Sequence, residues 1–175
     1  MKVLVLSGPE SSGKSSLAAR IQARFGGQVV GEYVRHFIEE TQRETCYADI
    51  SAIAQGQLAW EDAARATEST LLILDTHLLN NMLWSQTLFG DCPAWLEPQL
   101  LLRRYDLHLL LAAEGSEWVS DGQRCQPDLN DRQRFFDASQ QWLKKHAQPY
   151  QVIGGDWTSR ERQAFIAISQ LLDRV

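Results

Sequence analysis

Cysteine is scarce in this chain, with Cys46, Cys92 and Cys125 the only three in 175 residues. They are odd in number, far apart, and form no CxxC pair, which argues against a disulfide framework or a zinc site. The four histidines, His36, His77, His108 and His146, also lack metal-ligand spacing. Long apolar runs are missing. One lysine and a short apolar run precede Gly8, too little for a signal peptide or a membrane span, and no later run is long enough. The expected compartment is therefore a reducing cytoplasm. Positive charge is not in excess: 17 Lys and Arg against 22 Asp and Glu leave a net charge of -5. That balance argues against nucleic acid or a membrane as a broad surface partner. Internal repeats, low-complexity tracts and linkers are absent as well.

What is present is the composition of a soluble globular protein, 44% hydrophobic and 22% charged. One domain spanning residues 1–175 is expected. Short apolar runs at Val3–Leu6, Gln28–Val30, Leu71–Leu74, Leu107–Ala112 and Gln151–Ile153 suit parallel strands covered on both faces. Between them lie stretches of helical composition: Lys14–Phe25, Ser51–Thr70, Leu78–Leu88, Glu97–Arg104, Asp131–His146 and Ser159–Arg174. This alternation predicts an α/β domain with a mostly parallel sheet. Ligands then bind along the edge where the strands end.

The segment Gly8-Pro9-Glu10-Ser11-Ser12-Gly13-Lys14-Ser15, with Ser16 behind it, has the spacing GxxxxGK[ST]. A strand candidate ends just before it and a helix candidate starts at about Gly13, the context that a phosphate cradle needs. Gly8 and Gly13 permit backbone conformations closed to other residues. Successive N–H groups can then point inward at an anion, backed by the helix dipole. Lys14 would reach the β- and γ-phosphates of a nucleotide, and the Ser15 hydroxyl would ligate magnesium.

Two carboxylates fall on the same sheet edge. Glu32 follows the second strand in Gly31-Glu32-Tyr33-Val34-Arg35, where it can take a proton from, or orient, an attacking hydroxyl. Arg35, three residues on, would share its face if the chain turns helically there. Asp75 ends the third apolar run. An acid in that place needs a partner, and magnesium or its water shell is the natural one. A plain helix N-cap is the alternative.

Gly115–Asp131 is the longest polar, irregular stretch and is expected to form a lid. Phosphoryl transfer must exclude water and needs cationic donors. Arg124 is the first candidate, ahead of Arg132 and Arg134. Of six tryptophans, Trp60, Trp84 and Trp118 lie near these segments. Trp60 and Tyr33 are candidates for stacking on a flat substrate ring, with core packing the alternative.

In their order along the chain, GPESSGKSSLA, GEYVR, LLILDTH, YDLHLLLAAEGSEWVSDGQR and DRQRF resemble the nicotinamide-riboside kinase domain of NadR-type proteins. Those are P-loop small-molecule kinases of the AAA-domain-like ATPase class. The resemblance covers nearly the whole chain. It implies a three-layer P-loop NTPase fold with a five-stranded parallel sheet in the order 2-3-1-4-5. It also implies ATP-dependent phosphorylation of the ribose 5′-hydroxyl of nicotinamide riboside. By the resemblance, Glu32 binds or activates that hydroxyl; Tyr33, Arg35 and Trp60 stand as substrate-binding candidates on the reading of the residues above. Asp75 serves magnesium or substrate, Arg124 and Arg132 belong to the lid, and Gly155-Asp156-Trp157 to Arg160 borders the adenine. A homo-oligomer is compatible with it. Two positions differ from the family pattern: His77 stands where a second acid is expected, and Gly31 where a tryptophan helps hold the nicotinamide ring. The family's adenylyltransferase and DNA-binding regions have no counterpart in these 175 residues.

Overall fold

A computed structural model describes residues 1–115 and 117–173. Ser116, inside the expected lid, and Arg174, the expected end of the last helix, lie outside the described residues. Five strands, β1 (Lys2–Ser7), β2 (Gln28–Val30), β3 (Leu71–Asp75), β4 (Leu107–Leu111) and β5 (Tyr150–Ile153), form one sheet. Its order is β2-β3-β1-β4-β5, with every neighbouring pair parallel. The helices are α1 (Lys14–Phe25), α2 (Tyr33–Thr41), α3 (Ile50–Arg65), α4 (Leu78–Phe89), α5 (Leu96–Leu101), α6 (Leu129–Lys145) and α7 (Trp157–Leu172).

The continuous apolar runs reflect burial on both faces. Side chains alternate along a strand, so β1 sends Val3 and Val5 into one core and Leu4 and Leu6 into the other. On β3, Leu72 and Leu74 join the first core and Leu71 and Ile73 the second. Helices α3 to α6 cover the first face. Helices α1 and α7 cover the second, where Leu17, Ala18 and Ile21 of α1 meet Ala164, Ala167 and Ile168 of α7. The result is the expected three-layer sandwich. Each buried leucine contributes about 1.5–3 kcal/mol by leaving water. All five strands end on one edge, and the connections leave β1 in both directions. Such an edge is where α/β sheets bind ligands.

Several boundaries differ from the sequence expectation. The helix expected over Ser51–Thr70 stops at Arg65, because the Thr67 amide turns back to the Ala64 carbonyl at 3.2 Å. α2 carries no fully buried residue, so its pattern is too weak to read beforehand. α6 begins at Leu129 rather than Asp131, because the Asp128 carboxylate accepts from the amides of Asn130 (2.6 Å) and Asp131 (3.3 Å). α7 begins at Trp157, capped by Asp156, whose carboxylate accepts from Ser159 N at 2.8 Å. Among the described residues no helix is long and apolar enough to cross a membrane.

Candidate active site

The turn from β1 into α1 is shaped by two glycines. Gly8 has φ 131° and Gly13 φ 89°. A Cβ on Gly8 would lie 2.5 Å from the Leu111 carbonyl oxygen, and one on Gly13 2.9 Å from the Trp157 ring. Conformation and close packing therefore both demand glycine. Inside the turn, Ser12 Oγ donates to the Pro9 carbonyl at 2.8 Å. Lys14 is buried and its Nζ donates to the carbonyls of Gly8 (3.1 Å) and Pro9 (2.7 Å). Ser15 and Ser16 open α1 and face outward.

The Ser15 hydroxyl lies beside the Asp75 carboxylate, where its dipole favours the charged form. Asp75 is buried, and its Oδ1 has no hydrogen-bond partner. Burial, and next the charge of Glu32, push its carboxyl above the usual range. A hydroxyl and a carboxylate oxygen, side by side beneath a phosphate cradle, suit magnesium, which takes one or two protein oxygens plus phosphates and water. Among the described residues no cluster of three acidic, histidine or cysteine groups forms a complete metal cage. After Asp75 the backbone turns sharply. Thr76 has φ 75°, costly for a β-branched residue, and its amide is held by the Leu6 carbonyl at 3.1 Å.

A cleft of about 850 Å³ runs from the phosphate loop past Glu32 and Arg35 to α4. Arg35 spans it. Its Nε donates to Glu32 Oε2 at 2.8 Å and its Nη1 to Asp121 Oδ2 at 2.8 Å. Burial works against the Asp121 charge, but Arg35 and the amides of Gln123 and Arg124 hold its carboxyl down at about 2. Arg124 lines the cleft, with Nη1 on the Val119 carbonyl at 2.7 Å and Nε 3.3 Å from Asp121. The segment 117–126 is folded onto the phosphate loop. Glu10 accepts from Trp118 Nε1 at 2.9 Å, from Cys125 N at 3.2 Å, and from Gln126 N. Ser11 Oγ accepts from Val119 N at 3.2 Å.

The structure thus brings Glu10, Ser11, Lys14, Ser15, Glu32, Arg35 and Arg124 to one cleft, with Asp75 just behind its wall. It does not bring all the expected residues there. Arg132 is buried on the inner face of α6, and Arg134 pairs with Asp131 on the outer face. Tyr33 and Trp60 pack edge-on against each other, ring centroids 4.9 Å apart, and neither lines the cleft. The Tyr33 ring occupies the space over Gly56 that a Cβ there would need. The Asp156 carboxylate is taken up as the α7 cap and also stays outside the cleft. Its neighbour Trp157 is the residue that meets the phosphate loop, at Gly13.

Two residues went unread: Asn80 and Asn81 of α4 line the far end of the cleft, together with Trp84, which the sequence placed near the site and which packs on Phe135 at 5.4 Å. Arg160, buried to 2% exposure, donates to the carbonyls of Gly155 (2.8 Å), Ala112 (3.1 Å), Ser12 (3.2 Å) and Glu114. It ties the ends of β4 and β5 to the phosphate loop. Spacing alone carries no signal for such a role. A Cβ on Gly31 would meet nothing within 4 Å, so no steric need explains that glycine.

Comparison with known proteins places this geometry. A family model described as an AAA domain matches residues 3–160. The trifunctional NAD biosynthesis/regulator protein NadR of Salmonella typhimurium is 25% identical over 150 residues, 83% of this chain and 36% of that protein. Its Escherichia coli counterpart is 24% identical over 152 residues, with the same coverage. The chain thus spans about a third of the length of the curated relatives it matches. Among solved structures, NadR in complex with NR superposes with a TM-score of 0.76 at 19% identity, covering 97% of this chain and 51% of that one. Deoxyadenosine kinase from M. mycoides with bound dATP follows at 0.68 and 13%, covering 97% and 100%. The resemblance to NadR-type P-loop kinase domains read from the motifs is borne out, as is the fold.

Proposed function

The chain belongs to the AAA-domain family, and from that premise we propose that it is an ATP-dependent kinase that phosphorylates the ribose 5′-hydroxyl of nicotinamide riboside to give nicotinamide mononucleotide. The observation that carries this reading is the shared cleft. The phosphate loop with Lys14 forms one end, and Glu32 stands across from it beneath a lid that carries Arg124. A donor site and an acceptor site meet there, as transfer between two small molecules requires. The NadR relatives supply the acceptor's name.

In this reading residues 1–175 act as one kinase domain, with the lid between about 115 and 131. The phosphate-loop amides and Lys14 hold the ATP polyphosphate. Ser15 and Asp75 would hold magnesium, which would supply neutralisation of charge on the phosphates. Glu32 accepts the proton of the acceptor hydroxyl as its oxygen bonds to the γ-phosphorus. The bond from that phosphorus to the bridging oxygen breaks, and ADP departs. Arg124, screened from water by the lid, stabilises charge on the transferring group. Glu32 suits the base because it faces the cleft, whereas Asp75 is buried against Ser15.

Incubation with Mg-ATP and nicotinamide riboside, followed by mass spectrometry, should yield the mononucleotide and ADP in equal amounts. The Glu32→Gln variant should lose at least about a hundredfold in kcat. No turnover of nicotinamide riboside beside brisk turnover of a deoxynucleoside would overturn the acceptor. That outcome would favour a nucleoside kinase, a reading to which the full-length match with deoxyadenosine kinase lends weight.

A further inference from the structure

Gln57 reaches across from α3 to the junction between β2 and α2, on either side of Glu32. Its Oε1 accepts from Tyr33 N at 2.8 Å, and its Nε2 donates to the Gly31 carbonyl at 3.1 Å. It is 2% exposed, so water does not compete for these bonds. Tyr33 is the first residue of α2, and its N–H is one of the four that a helix cannot satisfy internally. Glu32 occupies the N-cap position, from which an oxygen-bearing side chain ordinarily folds back onto the second or third amide of the helix and leaves the first to another partner. It makes no capping bond, and its carboxylate goes to Arg35 instead.

We infer that Gln57 is the positioning residue for Glu32: it serves the first amide of α2 from the neighbouring helix, pins the peptide groups on both sides, and so aims the carboxylate at the acceptor hydroxyl. Two tethers 24 and 26 residues away in sequence flank a single residue. With both flanking peptides held, the Cα–Cβ direction of Glu32 is set, and Arg35 sets the rest of the side chain. Both ends of the Gln57 amide are engaged by backbone. Although Gln57 borders the cleft, it therefore acts through Glu32 rather than on substrate. Without it, the Tyr33 N–H and the Gly31 carbonyl both lose their partners, the two peptide groups that flank Glu32 are released, and its carboxylate moves out of line with the hydroxyl.

This inference rests on Glu32 as the base, and its test separates the two. In Gln57→Met, which keeps the volume and loses both bonds, kcat should fall about ten- to a hundredfold, the effect of misplacing a reacting group by roughly 1 Å. KM for ATP should stay within about twofold, since the phosphate loop is untouched. The double variant Gln57→Met/Glu32→Gln should be no slower than Glu32→Gln alone, because a misplaced group that is already disabled costs nothing more. If Glu32→Gln is slow but Gln57→Met retains wild-type kcat, or if the two losses multiply, the positioning role is overturned while the base stands. If Glu32→Gln itself is fully active, the base assignment fails first. Gln57→Leu replaces the methionine variant if that one does not fold. Hydrogen exchange in the unaltered protein adds a check that needs no variant: the Tyr33 amide should be protected well beyond a fraying helix end, and rapid exchange there would overturn the contact.

Discussion

The indole Nε1 of Trp118 donates to Glu10 Oε1 at 2.9 Å, joining the segment 117–126 to the phosphate loop across 108 positions of sequence. Glu10 accepts from two further amides of that segment, those of Cys125 and Gln126. A single side chain of the phosphate loop thus holds both arms of this segment, the lid of the proposed kinase.

Removing that carboxylate should loosen the lid. Glu10→Ala strips acceptors from three N–H donors, for a loss of about 2 kcal/mol in closure, roughly thirtyfold in the ratio of closed to open forms. Trp118 should become more accessible to acrylamide quenching, judged against Trp118→Phe to remove the other indoles. Acceptor-free ATP hydrolysis should rise as water gains entry. Quenching identical to the unaltered protein would show that Glu10 does not latch the lid.

Lys14 Nζ sits on the carbonyls of Gly8 and Pro9, poised at the bottom of the cradle. Lys14→Ala should cost on the order of 10²–10³ in kcat through lost electrostatic stabilisation. Far-UV circular dichroism should not change, since the loop's shape rests on Gly8, Gly13 and Ser12. A folded Lys14→Ala protein with normal transfer would contradict the phosphate-loop assignment.

Arg160→Met should destabilise the fold by about 2 kcal/mol or more, because it removes four hydrogen bonds, to the carbonyls of Ala112, Glu114, Gly155 and Ser12, and leaves the buried Ser12 carbonyl without this donor. Arg160→Lys should recover only part of this, since one ammonium cannot match a planar fork. Urea midpoints measure the loss. ATP affinity should fall in parallel, because the same guanidinium braces the phosphate loop. A midpoint within 0.5 kcal/mol of the unaltered protein, a margin typical of surface changes, would argue against this bracing role.

A buried histidine pair sets an acid limit on stability. His108 Nδ1–H donates to the Pro149 carbonyl at 3.0 Å, so its Nε2 accepts from His77 Nε2–H at 3.3 Å. Burial lowers both, His108 to about 4 and His77 well below its ordinary value, where the His108 charge adds to the effect. The unfolded chain takes up these protons at about pH 6.5. Stability is therefore complete above that pH and declines as pH falls from about 6.5 towards 4, the unfolded state binding more protons. The melting temperature should drop between pH 7 and pH 5, and the drop should be smaller in His108→Leu. Equal drops in the two proteins would dissociate the acid sensitivity from this pair.

Much of the fold was legible beforehand, for a local reason. Five apolar runs alternating with helical stretches dictate a parallel α/β sheet, because only strands covered on both faces dispense with a polar side. The phosphate loop was legible too, since its glycines and its Lys-Ser pair are contiguous and backbone geometry alone makes the cradle. Helix starts at Leu129 and Trp157 were missed by two residues each because Asp128 and Asp156 read as loop acids until their amide partners are seen. Trp60 and Tyr33 were plausible stacking platforms by composition, yet their rings pack on each other.

The sequence by itself determined the sheet, the cradle, and the placement of Glu32 and Asp75 at strand ends, because each follows from neighbours within a few residues. Tertiary structure alone decided which side chains serve those groups. Gln57 holding Glu32, Arg35 reaching Asp121, Glu10 clasping the lid and Arg160 gathering four carbonyls all join residues of different elements, the nearest 24 positions apart apart from Arg160 with Gly155. Such partners are selected by distance in the folded chain, and amphipathic periodicity carries no record of it.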